Sequence, residues 1–350
     1  VAKKRWPRGQ HNSLTAAREA VRGHLPAGLG YLVAVSGGAD SLALAATLGW
    51  ALGEGLIDGP VGAVIVDHGL QLGSAEAAAE AAAACREVGL DPVIVERVEV
   101  EGHGEAAART ARYEALEAAR ERVGADFLLT AHTADDQAEQ VLLGLARGSG
   151  TRSLAGIPAR RARVLRPFLE LRRSDTEAVC KAHGLSFWVD PTNASPEFLR
   201  NRVRHELLPA LREVLGEGID DALVRTARLA AQDAELLDRL AEELVEDAAR
   251  ASEPTVLGEA GDRVAGRAPL VWDLDRLLIR DAPAALRSRA LRQAAMAVGG
   301  RAPNAERTAA LERLVAGVGS AGPVQLNGRV SVTRERLGDG RAVVRFRGLA

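Results

Sequence analysis

The first half of the chain alternates short apolar runs with amphipathic stretches. Tyr31 to Val35 (YLVAV), Val61 to Asp67 (VGAVIVD), Pro92 to Val98 (PVIVERV) and Asp126 to His132 (DFLLTAH) read as strands. Ser41 to Trp50, Ala75 to Val88 and Glu105 to Val123 read as helices between them. Short, β-branched, almost wholly apolar strands separated by helices predict a parallel sheet covered on both faces. The expected fold class is α/β: an open, mostly parallel, Rossmann-like sheet with helices on both sides. Ligands in such sheets bind beyond the carboxyl ends of the strands. Every predicted strand except the third runs there into polar residues: SGGADS, DHG and HTADDQ.

The pattern changes after Leu211. Glu213 to Arg250 reads as an acidic helix in which Leu223, Leu229, Leu236, Leu240 and Leu244 recur at mostly helical spacing, a packing stripe. Ser252 to Pro269, rich in Gly and Pro, reads as a linker. Two helical stretches follow, Ala284 to Val298 and Ala305 to Ala316, then strand-like VQLNGRVSVTRERL and AVVRFRG. Turns at Asn327-Gly328 and Gly338 to Gly340 mark hairpins. Three regions are expected: a catalytic α/β domain at 1–211, an acidic helical region with its linker at 212–268, and a small α+β domain at 269–350.

Composition narrows the class. The 350 residues are 47% hydrophobic and 26% charged, enough chain for two or three domains with a sizeable core. No apolar run reaches the roughly 18 residues needed to span a bilayer, and the basic start lacks the apolar region of a signal peptide. A cytoplasmic protein without membrane partners is expected. Cys85 and Cys180 stand far apart in the sequence and outside any C-x-x-C, which encodes neither a disulfide framework nor a cysteine-rich metal site. The net charge of −2 hides a division. Glu213 to Asp262 carries 14 acids against 4 arginines, whereas Pro269 to Ala350 carries 14 arginines and no lysines against 7 acids. Arginine forks match phosphate oxygens, so the basic end suits RNA docking.

The stretch AVSGGADSLAL, Ala34 to Leu44, raises the question of a ligand. A Gly-Gly turn after a strand lets backbone N–H groups converge on an anion, and the helix that follows adds its positive end. Phosphate is the natural guest. Ser36 and Ser41 offer hydroxyls, and Asp40 can hold a Mg2+ that neutralises phosphate charge. The lysine of a Walker loop is missing. Further along, HTADDQAEQVLLGLARG places Asp136, Glu139, Gln140 and Leu143 on one helix face and Ala138, Val141, Leu142 and Leu145 on the other. The apolar side packs on the sheet in this reading. Asp136 and Glu139 then project together, a pair suited to an ammonium group or a metal. Arg109 and Arg112, three apart on a helix, can clamp phosphates. His68 and His132 follow strands at the ligand edge, where contact with nucleotide and a structural role are equally open.

SGGADS (Ser36 to Ser41) resembles the SGGxDS signature of the N-type ATP pyrophosphatases, the PP-loop superfamily. That resemblance explains the absent lysine, because the bond broken lies between the α- and β-phosphates. IVDHGL, EAAARTARY, TAHTADDQAEQVLLGLARGSGTRSLAGI and WVDPTNASPEFLRNRVRHELLPAL, in this order, are similar to bacterial tRNA(Ile)-lysidine synthases. The likeness spans Leu32 to Leu211. It implies a two-step ligation: ATP adenylylates carbon 2 of the wobble cytidine of a tRNA(Ile) with a CAU anticodon, and L-lysine displaces AMP. Decoding then changes from AUG to AUA. It further implies ATP contacts at Ser36, Gly37, Gly38, Ala39, Asp40, Ser41, Asp67, His68, Arg112 and His132. Lysine would be held at Asp136, Glu139 and Arg204, with Asp40, Asp136 and Arg204 catalytic and Asp40 the Mg2+ ligand. A homodimer is compatible with it. Gln140 departs from the family, where threonine is usual. Three other readings compete: a PP-loop amidotransferase or synthetase acting on a small molecule, which needs no R-N-x-x-R block or basic tail; a tRNA thiolase, which usually carries catalytic cysteines; and an ATP-sensing module without cleavage.

Overall fold

Helix α1 (Asn12–His24) precedes four strands that alternate with helices: β1 (Tyr31–Val35), α2 (Ala39–Gly53), β2 (Val61–Asp67), α3 (Ser74–Glu87), β3 (Val93–Arg97), α4 (Glu105–Arg122), β4 (Phe127–Leu129) and α5 (Ala134–Ala146). Short α6 (Thr151–Leu154), the two-residue strands β5 (Arg160–Arg161) and β6 (Val164–Leu165), and α7 (Arg173–His183) follow. Then come α8 (Leu199–Arg202), a π-helical turn (Val203–Leu207), α9 (Leu208–Leu215) and the long α10 (Ile219–Ser252). The computed structural model describes residues 12–67, 69, 73–98, 105–148, 150–190, 192, 195–252 and 271–348. Two units divide the chain, Val1–Leu229 and Ala230–Ala350.

The first unit is built on one six-stranded sheet of order β3-β2-β1-β4-β6-β5, parallel except for β5 at the edge. Successive strands β1, β2 and β3 step one way, and β4 then pairs on the other side of β1. The carboxyl ends of β1 and β4 therefore open a crevice between two diverging crossovers. β1 and β2 are nearly buried throughout, as their unbroken apolar runs require. β3, at the edge of the sheet, is covered less, with Val95 exposed. Helix α2 (ADSLALAATLGWALG) is apolar all round, and every residue from Ser41 to Ala51 is buried. It packs against α1, α7, α3 and the sheet. Each fully buried leucine there, such as Leu44 or Leu48, contributes about 2 kcal/mol. Gly49 permits the closest approach: a β-carbon at that position would lie 2.1 Å from the Val88 carbonyl oxygen.

The second unit has its own core. Strands β7 (Val271–Asp275), β8 (Val324–Leu326), β9 (Val330–Arg336) and β10 (Ala342–Gly348) form an antiparallel sheet of order β7-β10-β9-β8. Helices α11 (Arg276–Asp281), α12 (Ala284–Ala297) and α13 (Ala305–Ala316) join it, burying Leu274, Ile279, Leu291, Leu311, Val332 and Phe346 together. The hairpin turns fall where Asn327-Gly328 and Gly338 to Gly340 place them. Arg345 on β10 links Asp273 on β7 to Glu335 on β9 with contacts of 2.7 and 2.6 Å, a cross-strand ion triad. The packing stripe on α10 differs from the expected one. Leu229 and Leu236 are 58% and 47% exposed, while Ala241, Val245 and Ala248 are buried in this core. Small residues let the helix approach closely; of the predicted stripe Leu244 packs against this core, while Leu229, Leu236 and Leu240 are exposed. The predicted linker lies mostly outside the described residues. Among the described residues no helix is long and apolar enough to cross a membrane.

Candidate active site

The crevice between β1 and β4 is lined first by the glycine turn. Gly37 has φ +82°, the left-handed region that favours glycine, and its carbonyl accepts the Trp188 amide at 3.0 Å. Gly38 caps α2 with no side-chain hydrogen bond, so the first-turn amides of that helix face an open end. Inside the turn, the Ser41 hydroxyl receives the Ser36 amide at 3.1 Å and donates to the Gly38 carbonyl at 3.0 Å, fixing the loop's shape. The helix begins at Ala39, two residues earlier than the sequence suggests, which puts Asp40 in its first turn.

Three carboxylates meet three arginines beside this turn. The Asp40 side chain accepts the Thr176 hydroxyl and lies 3.4 Å from the Arg173 guanidinium. In α5, the Thr133 amide and hydroxyl donate to one Asp136 oxygen at 2.8 and 3.1 Å, a capping box that fixes the carboxylate. The other Asp136 oxygen accepts from Arg200 at 3.0 Å and lies 3.6 Å from Arg204 and 3.9 Å from Arg173. Glu139 is 1% exposed, and its two oxygens accept from the Nε atoms of Arg200 and Arg204 at 2.6 Å each. Burial opposes the charge on Asp136, yet Arg200, the Thr133 amide and further positive neighbours hold its carboxyl below the usual range. Asp40 goes the other way: burial, helped by Asp136, outweighs Arg173 and Thr176 and pushes it up.

The arginines stand on a helix of unusual pitch. Arg200 belongs to α8 and Arg204 to the π-helical turn, with Val203 and Leu208 of the same run buried against Ala138 of α5. Asn201 anchors the preceding loop, its amide donating to the carbonyls of Thr192 and Ser195 at 2.8 and 2.9 Å. That explains the R-N-x-x-R spacing: guanidinium, loop anchor, buried apolar residue, guanidinium.

Two adjoining cavities of about 500 and 740 Å³ occupy the crevice. Apolar Ala34, Ile65, Val66 and Leu116 line the first, together with Asp67. Charged Arg109, Asp136, Arg173, Arg200 and Arg204 line the second, together with Gly38 and Ala39. Ser36, Asp40, Ser41, Arg112 and His132 border both. Arg109 and Arg112 lie over the Tyr113 ring, and burial lowers the Arg112 pKa. His132 faces Thr130 at 3.0 Å, and burial first, against the pull of Asp136, takes its pKa down to about 4. The imidazole is neutral at pH 7. His68 lies outside the described residues.

Two expectations change. The α5 face read as apolar is not the packing face throughout, since Leu145 is 64% exposed while Asp136 and Glu139 are buried. Glu139 also does not line either cavity, because Arg200 and Arg204 cover it. Arg173 and Thr176, which hold Asp40, were not singled out in the sequence; they sit in ELRRSDTEAV, which carries no chemical pattern until α7 is folded beside α2. Both cysteines are buried, and burial pushes each thiol up to about 12, so neither is a thiolate at pH 7.

A PP-loop domain family matches residues 19–211. The tRNA(Ile)-lysidine synthase of Thermobifida fusca is 46% identical to this chain over 94% of it and 95% of the relative. That of Salinispora tropica is 46% identical over 92% and 94%, and that of Salinispora arenicola 52% over 65% and 71%. Among solved structures, the U34-tRNA thiolase NcsA of Methanococcus maripaludis superposes with a TM-score of 0.50 at 19% identity, over 62% of this chain and 77% of that one. This last likeness is one of fold.

Proposed function

The chain belongs to the PP-loop family and, within it, to the tRNA(Ile)-lysidine synthases, and we propose that it ligates L-lysine to carbon 2 of the wobble cytidine of a CAU-anticodon tRNA(Ile) at the expense of ATP. What carries this reading is that the relatives align along both units while Ser36, Asp40, Asp136 and Arg204 converge on one crevice.

ATP lies with its adenine toward the apolar chamber and its phosphates on the Gly37–Gly38 turn, where the α2 amides, Arg112 and Arg173 meet the charge. Asp40 and Asp136 offer hard oxygen donors on one wall of the charged cavity, beside the Gly37–Gly38 turn. These residues fit Mg2+, with Asp40 the ligand. When bound, the ion neutralises phosphate charge as pyrophosphate leaves. Among the described residues no three His, Cys, Asp or Glu side chains group into a metal cage. One or two carboxylates plus phosphate oxygens is the usual arrangement for this ion.

The cytidine C2 oxygen attacks the α-phosphorus, and the lysine amine then displaces AMP from carbon 2. Asp136, held ionised, binds the lysine ammonium from the cavity side. Glu139 acts behind it by fixing Arg200 and Arg204. Exposed arginines of the second unit, Arg301, Arg307, Arg313, Arg329 and Arg347 among them, bind tRNA phosphates, whereas Arg280, Arg341 and Arg345 are paired with acids of their own unit. Pyrophosphate release measured with ATP, lysine and CAU-anticodon tRNA, each omitted in turn, tests the reading. Release that does not depend on this tRNA refutes it.

A further inference from the structure

The chain has four Trp, two Tyr and five Phe, an aromatic content of only 3%. Tyr31, Trp50, Phe127, Phe168 and Phe346 are spent in the two cores, and Trp272 packs against the second. The remaining described aromatics, Tyr113, Phe187, Trp188 and Phe198, all line the crevice. In a chain so poor in rings, every described one outside a core stands at the site.

Trp188 and Phe198 are set apart from the other two because each borders both chambers. Both are half-buried, and both are tied by backbone hydrogen bonds to other parts of the site. Trp188 donates its amide to Gly37 of the phosphate turn. Phe198 precedes α8, where its carbonyl accepts the Arg202 amide at 3.1 Å, and the Asn201 amide donates to the carbonyls of Thr192 and Ser195, which lie between the two rings in the chain. A half-buried flat ring presents a π face, and nucleobases stack on such faces.

We propose that Trp188 and Phe198 form the slot that receives the target nucleobase of the tRNA, gripping it by stacking where the adenine chamber meets the acid and arginine wall. The proposal rests on the ligase reading. Adenine has its own apolar surface in Ala34, Ile65, Val66 and Leu116, deeper at the strand ends. A base entering from the charged side meets the two rings at the boundary, within reach of both the phosphate turn and Asp136. An anticodon base is already unpaired, so its extrusion costs little.

The test pairs protein variants with a tRNA that lacks the wobble base but is otherwise unchanged. For Trp188→Ala, tRNA affinity should fall about tenfold and ATP affinity by less than about twofold, the magnitude of one lost stack. Removing the wobble base should weaken the wild type about tenfold and Trp188→Ala hardly further. Trp188→Phe should recover most of the loss, and Phe198→Ala should repeat the pattern, which keeps the test decisive if Trp188→Ala folds poorly. Losses that multiply overturn the slot, as does a fall in ATP affinity parallel to that for tRNA. Wild-type protein that releases pyrophosphate with the intact tRNA, combined with multiplying losses, refutes the slot alone; inactive wild type refutes the ligase reading and the slot with it.

Discussion

Glu139→Gln removes one negative charge from between two guanidinium groups while keeping the side chain's size. In the wild type the carboxylate is buried and receives Arg200 and Arg204 at 2.6 Å each. Charge-assisted hydrogen bonds contribute about 1.5 to 3 kcal/mol apiece, and breaking a buried pair from one side costs about 3 to 5 kcal/mol. The two arginine side chains retain 25% and 19% exposure and can turn partly toward water. The lower end therefore applies, about 3 kcal/mol. At about 2 to 4 °C per kcal/mol for a unit of this size, the first unit's Tm should fall by about 6 to 12 °C. Calorimetry at pH 7 measures this directly. Because Arg200 and Arg204 line the charged cavity that both half-reactions share in the proposed function, pyrophosphate release and lysine transfer should decline together. If Glu139 instead held the lysine ammonium itself, the variant would keep its Tm and its pyrophosphate release and lose only apparent affinity for lysine. A Tm within 2 °C of wild type with a raised KM for lysine alone would therefore refute the reasoning.

Asp40→Asn should cut tRNA-dependent pyrophosphate release about 10² to 10³-fold with the fold retained, the usual cost of one lost electrostatic contact; a normal rate would remove Asp40 from the phosphate site. His132, with its folded pKa lowered to about 4 from 6.5, binds its proton more weakly than the unfolded chain does, so it contributes stability above pH 6.5 that is lost as pH falls toward 4. The full swing is about 3 kcal/mol. Asp40, raised by burial, works in the opposite sense, so urea midpoints of wild type and His132→Asn should be compared across that window; parallel curves would disprove the His132 contribution. Gly49→Ala would drive a methyl into the Val88 carbonyl and should destabilise by about 1 to 3 kcal/mol, with an unchanged midpoint counting against the packing described. Arg301 and Arg329 flank the Asn327-Gly328 turn on exposed surface. Changing both to Gln should lower the salt slope of tRNA binding by about 1.4 to 1.8 if each meets a phosphate, as filter binding at several salt concentrations would reveal.

The sheet was legible because β1, β2 and β4 are buried on both faces and so advertise themselves as unbroken apolar runs. The glycine turn after β1 was legible because Gly37 takes a left-handed conformation there. Helices α1 and α7 were not picked out, since neither carries a chemical motif and α7 matters only once its Arg173 and Thr176 reach Asp40 across the fold. Strand β7 is five residues long, and its partner β10 lies about seventy residues further on, so pairing rather than local pattern makes it a strand. Asp136 and Glu139 share one side of α5, where Arg200 reaches both, but a helical wheel of one segment has no information about the arginines of another. Only the folded neighbourhood of Glu139 separates a ligand from a support.

The π-helical turn at Val203–Leu207 gives the arginine block a particular kind of fragility. Residues five apart in such a turn stack nearly one above the other, which is how Val203 and Leu208 both reach Ala138 while Arg204 stays on Glu139. A π turn already holds one residue more than an α-helical turn, and a regular helix advances by about 100° per residue, so inserting a further residue here would swing everything after it through roughly that angle, whereas a deletion is absorbed by tightening to α geometry. Either Leu208 and α9 leave their packing, or Arg204 leaves the acids. Single substitutions of exposed residues there should be mild and one-residue insertions severe, so the phase of this helix is itself part of the site.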